Sequence, residues 1–172
     1  MQAPLELETR RRIFELVSST PGIHFSELKR RLGLATGMLV YHLDYLQKQG
    51  IVYAEKKSFY KRYYPTGKLT REEKSILSML RLEIPRAIVL YLLNHPNTTH
   101  KQLLSNFDIS GATLSYHLKN LVENGIVSKT IVGKKSVFAV RDEEKVAKIL
   151  ITYKESFYDL LVDKFIKFWT TK

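Results

Sequence analysis

Apolar residues recur along this chain at two spacings, and the two alternate. Between Arg10 and Ser18 they fall at Ile13, Phe14, Leu16 and Val17, as on one face of a helix. The run Ser19–Gly22 (STPG) ends that helix. A second helical stretch, FSELKRRL, follows with Ser26 as its expected N-cap, and Gly33 supplies the turn after it. A third helix is expected over about Thr36–Gln49, with Leu39, Leu43 and Leu46 on its inner side. Gly50 stands where a left-handed C-cap belongs. The spacing then changes. IVYAEKKSFYKRYYP is a β-rich run with a basic middle, and it reads as a hairpin.

The same order returns 75 residues later without a gap, Arg11–Pro65 falling on Arg86–Val140. Twelve of the 55 aligned pairs are identical, and eight of those lie between Leu39–Val52 and Leu114–Val127. Such clustering indicates a duplicated folded unit. Ala87–Leu93 ends at NHPN, HKQLLSNF takes the place of the second helix, and Asp108 stands at the turn. Gly111–Asn124 is the third helix, Gly125 its cap, and IVSKTIVGKKSVFAV the hairpin.

Helix, helix, turn, helix, hairpin is the order of a winged helix-turn-helix. The segments around Leu39-Val40-Tyr41-His42-Leu43 and Leu114-Ser115-Tyr116-His117-Leu118 resemble the recognition helix of the ArsR/MarR-like regulators. The doubled arrangement resembles archaeal transcription regulators with two such domains in one chain. Val40 departs from the family pattern, which favours a small polar residue there. The expected fold is mainly α with small β-hairpin wings. It comprises one winged helix-turn-helix over 1–68, a connecting helix over 69–85, a second over 86–141, and a long C-terminal helix over 142–172.

The resemblance implies that each third helix enters a major groove. On the first, Thr36, Gly37, Met38, Val40 and Tyr41 lie outward, with Asp44 and Lys48 beyond them. On the second, Gly111, Thr113, Ser115, Tyr116 and Lys119 do so, with Asn120 nearby. Small residues let a backbone approach, and a phenol can meet a phosphate, sugar or base edge. The second face is richer in groups that bond to bases. The first offers apolar contact to a thymine methyl through Met38 or Val40 and Asp44 as an acceptor for cytosine N4, or else a surface that docks on protein. Lys56, Lys57, Lys61 and Arg62 sit on the first hairpin, Lys134 and Lys135 on the second, all expected to contact phosphate or minor groove. His42 and His117 border the apolar stripe and are expected to cap the core through a bond to a nearby group, with phosphate contact as the alternative.

Leu69–Ile84 opens with a capping box, Thr70 and Glu73, and predicts one helix ending at Pro85. A related phrase, RDEEKVAKIL, follows the second hairpin and continues without a helix breaker to Trp169. A helix of about 28 residues would run roughly 40 Å. Its stripe of Leu150, Tyr153, Phe157, Leu160, Leu161, Phe165, Phe168 and Trp169 predicts either cover for the core or a dimer seam, with the seam from Tyr153 onward preferred.

Charge strengthens the nucleic-acid reading. Lys+Arg exceed Asp+Glu by 28 to 17, a net +11 divided almost evenly between the two halves, so both are drawn to a polyanion. The chain has no cysteine, which excludes disulfides, a thiol nucleophile and thiolate metal sites. No leader and no spanning segment are predicted, and a cytoplasmic, nucleoid-associated protein is expected. No phosphate loop, nucleophile with a base or metal-ligand spacing stands out, so neither catalysis nor a cofactor is expected. The expected partners are double-stranded DNA and a second copy of the chain. No residue pattern identifies an effector. The competing function is a winged-helix subunit that grips protein in a chromosome or transcription assembly.

Overall fold

The computed structural model describes residues 4–57, 59–157 and 160–171. The side chains of Lys57 and Leu160, expected on the first wing and the C-terminal seam, lie outside the described residues. The chain forms two compact units, Met1–Lys74 and Ser75–Lys172.

In the first unit α1 (Pro4–Ser19) is followed by β1 (Ile23–His24), α2 (Phe25–Leu32) and α3 (Thr36–Lys48), then by the hairpin β2 (Val52–Lys57) and β3 (Tyr60–Pro65). The strands lie in the order β1-β3-β2, all antiparallel. The short strand β1 was not apparent in the sequence. It exists because Gly22 turns the chain at φ +79°, and Ile23 then pairs with Tyr63. A Cβ at Gly22 would come within 2.9 Å of the Tyr64 hydroxyl, so the glycine serves both the turn and the packing. Ile13, Val17, Ile23, Leu28, Leu39, Leu43, Leu46, Val52 and Tyr63 close the core.

The second unit repeats this plan and adds to it. The boundary falls inside α4 (Arg71–Leu80), and α5 (Glu83–Asn94), β4 (Thr98–Thr99), α6 (His100–Leu104) and α7 (Gly111–Glu123) follow. The hairpin is β5 (Val127–Val132) with β6 (Lys135–Val140), in the order β4-β6-β5, and α8 (Glu143–Thr152) and α9 (Leu160–Thr170) complete it. The register matches at the same offset: Thr98 pairs with Phe138 as Ile23 does with Tyr63. Ile88, Leu92, Leu103, Leu114, Leu118, Leu121, Val127 and Phe138 are its core.

Both third helices end alike. Gly50 N–H donates to the Gln47 carbonyl and Ile51 N–H to that of Leu46; Gly125 and Ile126 do the same to Val122 and Leu121, all at 3.0 Å. The glycines sit at φ +67° and +71°, the left-handed cap that the sequence predicts. The chain therefore leaves each helix at the same angle and enters the hairpin in the same place.

Several expectations need correction. Ser26 does not cap α2; the helix starts directly after β1, with His24 at the cap position and no side-chain cap. The counterpart α6 does have a capping box, Thr99 with Gln102, yet stops at Leu104, short of Phe107. There the Ser105 hydroxyl and the Asn106 amide both donate to the Gln102 carbonyl at 2.8 Å, competing with the helical ladder. The capping box at Thr70 and Glu73 forms as expected. Pro85, however, lies in the first turn of α5, where its missing N–H is not needed. The connecting helix ends earlier, at Leu80, and the buried Arg86 guanidinium donates to the Leu80 and Arg81 carbonyls at 3.0 and 3.2 Å.

The expected long C-terminal helix is two helices. After α8 the backbone tightens into a 3-10 turn at Lys154–Ser156, and α9 packs against α5 and α8. Phe157, Val162 and Phe165 are thereby buried in their own unit. A continuous rod would leave that apolar stripe uncovered, and burial outweighs the local preference to continue.

Candidate nucleic-acid interface

The leucines of α3 fix how it faces. With Leu39, Leu43 and Leu46 inward, Thr36, Gly37, Met38, Val40, Tyr41 and Asp44 are exposed. A Cβ at Gly37 would meet nothing within 4 Å, so that side of the backbone is open. In α7, Ser115, Tyr116 and Lys119 are exposed, while Gly111 and Thr113 are half-buried. Tyr116 is 62% exposed and Tyr41 54%, so neither phenol packs into the core.

The outward groups already make contacts. Asp44 pairs with Lys48 at 2.7 Å, which offsets its charge on the α3 face. Lys119 lies 3.8 Å from Glu123. Both pairs are exposed and weakly held, so the lysines can leave for a phosphate. Ser115 Oγ lies 2.9 Å from His100 Nε2, a contact that ties α7 to α6. The Thr113 hydroxyl lies 2.9 Å from that of Ser110, which caps α7 by accepting from the Thr113 N–H. Thr113 is therefore part of the cap as well as of the outer face.

Each third helix faces a cleft shared with its own wing. In the first unit Phe25, Val40, Leu43, Asp44, Tyr60 and Tyr63 line it; at the same offset His100, Ser115, Leu118, Lys119 and Phe138 do so in the second. The first is aromatic and the second more polar. On the wings Lys56, Lys61, Lys134 and Lys135 are exposed. Arg62 is half-buried and donates to the Gly22 carbonyl at 3.2 Å, so it holds the wing to β1.

His42 differs from its expected role. It is 3% exposed, and its Nδ1 is buried without a hydrogen bond. Its ring meets Tyr41 edge-on at 5.0 Å. Burial, and next the charge of Arg10, lower its pKa below the ordinary histidine value, with Glu6 opposing. His117 is only half-buried and meets Tyr116 in the same edge-on way, at 5.1 Å.

The sequence reading missed Arg10. It is 5% exposed, stacks over the Tyr45 ring at 3.6 Å, and extends one guanidinium nitrogen toward the Tyr41 hydroxyl at 3.5 Å and Glu6 at 3.6 Å. It thus joins α1 to the outer helix. The signal was present: Arg10 precedes Ile13 and Val17 by three and seven residues, on the same helical face. Also missed were the exposed apolar residues at the wing tips, Phe59, Tyr60, Ile131 and Val132.

Two family models match the chain, one for each copy. A model described as an N-terminal HTH domain matches residues 7–77, and the bacterial regulatory protein, arsR family, matches residues 85–129. Each copy thus matches a helix-turn-helix model, the second one that of the arsR family. An uncharacterized HTH-type transcriptional regulator of Methanocaldococcus jannaschii is 29% identical over 135 residues, 78% of this chain and 34% of that protein. The chain therefore spans about a third of that relative's length. Among solved structures, the transcriptional regulator HlyU from Vibrio vulnificus is 22% identical, covering 48% of this chain and 84% of that one with a TM-score of 0.41. Reduced HlyU from Vibrio cholerae is 21% identical, covering 49% and 87% with a TM-score of 0.43. Among the described residues no cluster of His, Asp and Glu could hold a metal ion, and no helix is long and apolar enough to cross a membrane.

Proposed function

We propose that this chain is a sequence-specific regulator of transcription that binds double-stranded DNA. What carries the reading is one arrangement made twice: an outward helix face, free of the core, beside an exposed hairpin with lysines at its end. The helices α3 and α7 enter major grooves and the wings contact the flanking backbone. On α7, Ser115, Tyr116 and Lys119 bond to bases and phosphates, with Gly111 and Thr113 at the close-approaching N-terminus. On α3, Thr36, Gly37 and Tyr41 approach the backbone, while Met38 and Val40 favour thymine methyls. Lys56, Lys57, Lys61, Lys134 and Lys135 neutralise phosphates, with Arg62 supporting the first wing. Regulation is by occupancy of the site and needs no catalysis. Such a protein works in the cytoplasm, at the nucleoid.

The protein acts as a homodimer. With Phe157 and Phe165 buried in their own unit, the seam narrows to the exposed Leu161 and Phe168 and the half-buried Tyr153 and Trp169. Leu161 and Phe168 also line a groove of about 400 Å³ with Leu90 and Tyr91. Light scattering of Phe168→Ser against wild type tests this: wild type should be a dimer and the variant a monomer.

The function itself is tested by selecting bound fragments from a genomic library and titrating the selected sites with salt. The logarithm of the binding constant should fall steeply with that of salt, by about 0.9 per phosphate neutralised. Failure to enrich any sequence over random DNA would refute sequence-specific binding.

A further inference from the structure

The two wings end in the same mixture of side chains, arranged on opposite arms. In the first, Lys56 and Lys57 lie on β2, across from Lys61 and Tyr60, with Phe59 at the turn. In the second, Ile131 and Val132 lie on β5, across from Ser136 and Lys135, with Gly133 and Lys134 at the turn. Phe59 is 93% exposed, Ile131 73% and Val132 61%. Tyr60, by contrast, is anchored toward the root, its ring 5.6 Å from His24 and edge-on to it.

A single exposed apolar side chain needs no explanation. Here they recur at both hairpin ends, each beside lysines, while the lower parts of the strands bury Val52, Tyr63, Val127, Phe138 and Val140 in the ordinary way. A narrow two-stranded tip with an apolar end and cationic flanks suits a partner with a charged surface and an apolar interior within reach. Duplex DNA is such a partner: phosphates line the minor groove, and base faces lie between its steps. Phe59, Tyr60 and Lys61 also share a cleft with Val40, Asp44 and Gln47 of α3, so a duplex seated on α3 passes the wing.

Resting on the DNA-binding reading above, we propose that the wing tips are wedges. Phe59 in the first unit, and Ile131 with Val132 in the second, enter the minor groove and part a base step. Lys56 and Lys61, and Lys134 and Lys135, hold the phosphates on either side. Apolar wedges of this kind unstack a step and kink the duplex, and the bent duplex gains contact with the protein. Pyrimidine–purine steps open most easily, so the wings select them without hydrogen bonds to bases. The bound DNA is bent, and part of the sequence preference lies outside the stretches that α3 and α7 touch.

The test uses the full chain and duplexes taken from the fragment selection. Each duplex carries 2-aminopurine at the candidate step and dyes at its ends for energy transfer. Wild type should brighten the 2-aminopurine and shorten the end-to-end distance. Phe59→Ala should abolish the brightening at its step and weaken binding about tenfold, the loss expected for one buried aromatic, without changing the salt slope. Phe59→Leu should restore both signals. Ile131→Thr with Val132→Thr should do to the second step what Phe59→Ala does to the first. Unchanged brightening and bend in Phe59→Ala, with wild type binding the duplex normally, overturns the wedge and leaves the DNA-binding reading intact. Wild type that selects no duplex overturns both. Binding to vesicles of equimolar phosphatidylcholine and phosphatidylserine that depends on Phe59, while DNA binding does not, overturns the wedge in favour of a membrane partner.

Discussion

Acidification should loosen the first unit through His42. The imidazole is 3% exposed, with Arg10 and Glu6 of α1 and Tyr41 of α3 around it. Its pKa in the folded chain lies below the unfolded value because burial and the Arg10 charge both oppose protonation. The stability it contributes is therefore complete above the unfolded pKa and is lost as pH falls through it, levelling off below the folded pKa. With an unfolded pKa of about 6.5, roughly nine in ten unfolded chains carry the proton at pH 5.5. A folded state that refuses it loses up to about 1.4 kcal/mol relative to pH 7.5. That is measurable in a unit of this size, and carboxylates titrate mostly below this window. Hydrogen exchange of the α3 amides at the two pH values, corrected for the intrinsic rate, reads the opening free energy of this element. Wild type should lose stability on acidification, and His42→Gln should not. An α3 indifferent to pH in wild type, or an equal loss in the variant, would refute the assignment.

Backbone geometry makes a second prediction. Gly50→Ala should cost about 1 kcal/mol for its positive φ, whereas Gly22→Ala should cost at least about 2, since its Cβ also meets Tyr64; equal shifts in thermal unfolding would contradict the packing. Arg86→Ala should destabilise the second unit by about 2–3 kcal/mol through the two lost bonds to the end of α4, read from Trp169 fluorescence on heating. Replacing Lys134 and Lys135 by Ala should reduce the salt slope of DNA binding by about 1.8, two phosphates' worth, on selected and random sequences alike.

What the sequence made legible was whatever repeats or obeys local spacing. Leu39, Leu43 and Leu46 set which face of α3 is outward, and Gly50 and Gly125 set where each third helix stops. Those features carry the fold and the outer faces. What stayed hidden depends on tertiary contact. No local signal separates α8 from α9; the break exists because Phe157, Val162 and Phe165 find cover on their own unit. Pro85 is equally compatible with ending one helix or starting the next, and Arg86 decides by capping the end of α4. Arg62 and Lys61 are adjacent basic residues, yet Arg62 reaches the Gly22 carbonyl because it pairs with His24 on β1, while Lys61 points to the opposite face of the sheet. Arg10 lies on an apolar helical face, and the aromatic ring that justifies its place there is 35 residues away, at Tyr45.

Sequence-specific binding depends most on the outward faces of α3 and α7 reading base sequence. The direct measurement is the ratio of affinities for selected and random DNA, in wild type and in the chain with Tyr116→Ala and Lys119→Ala. Loss of base contacts worth about 1–3 kcal/mol should lower that ratio about fivefold or more. If instead both affinities fall by the same factor, or wild type never distinguished the two, α7 does not read sequence.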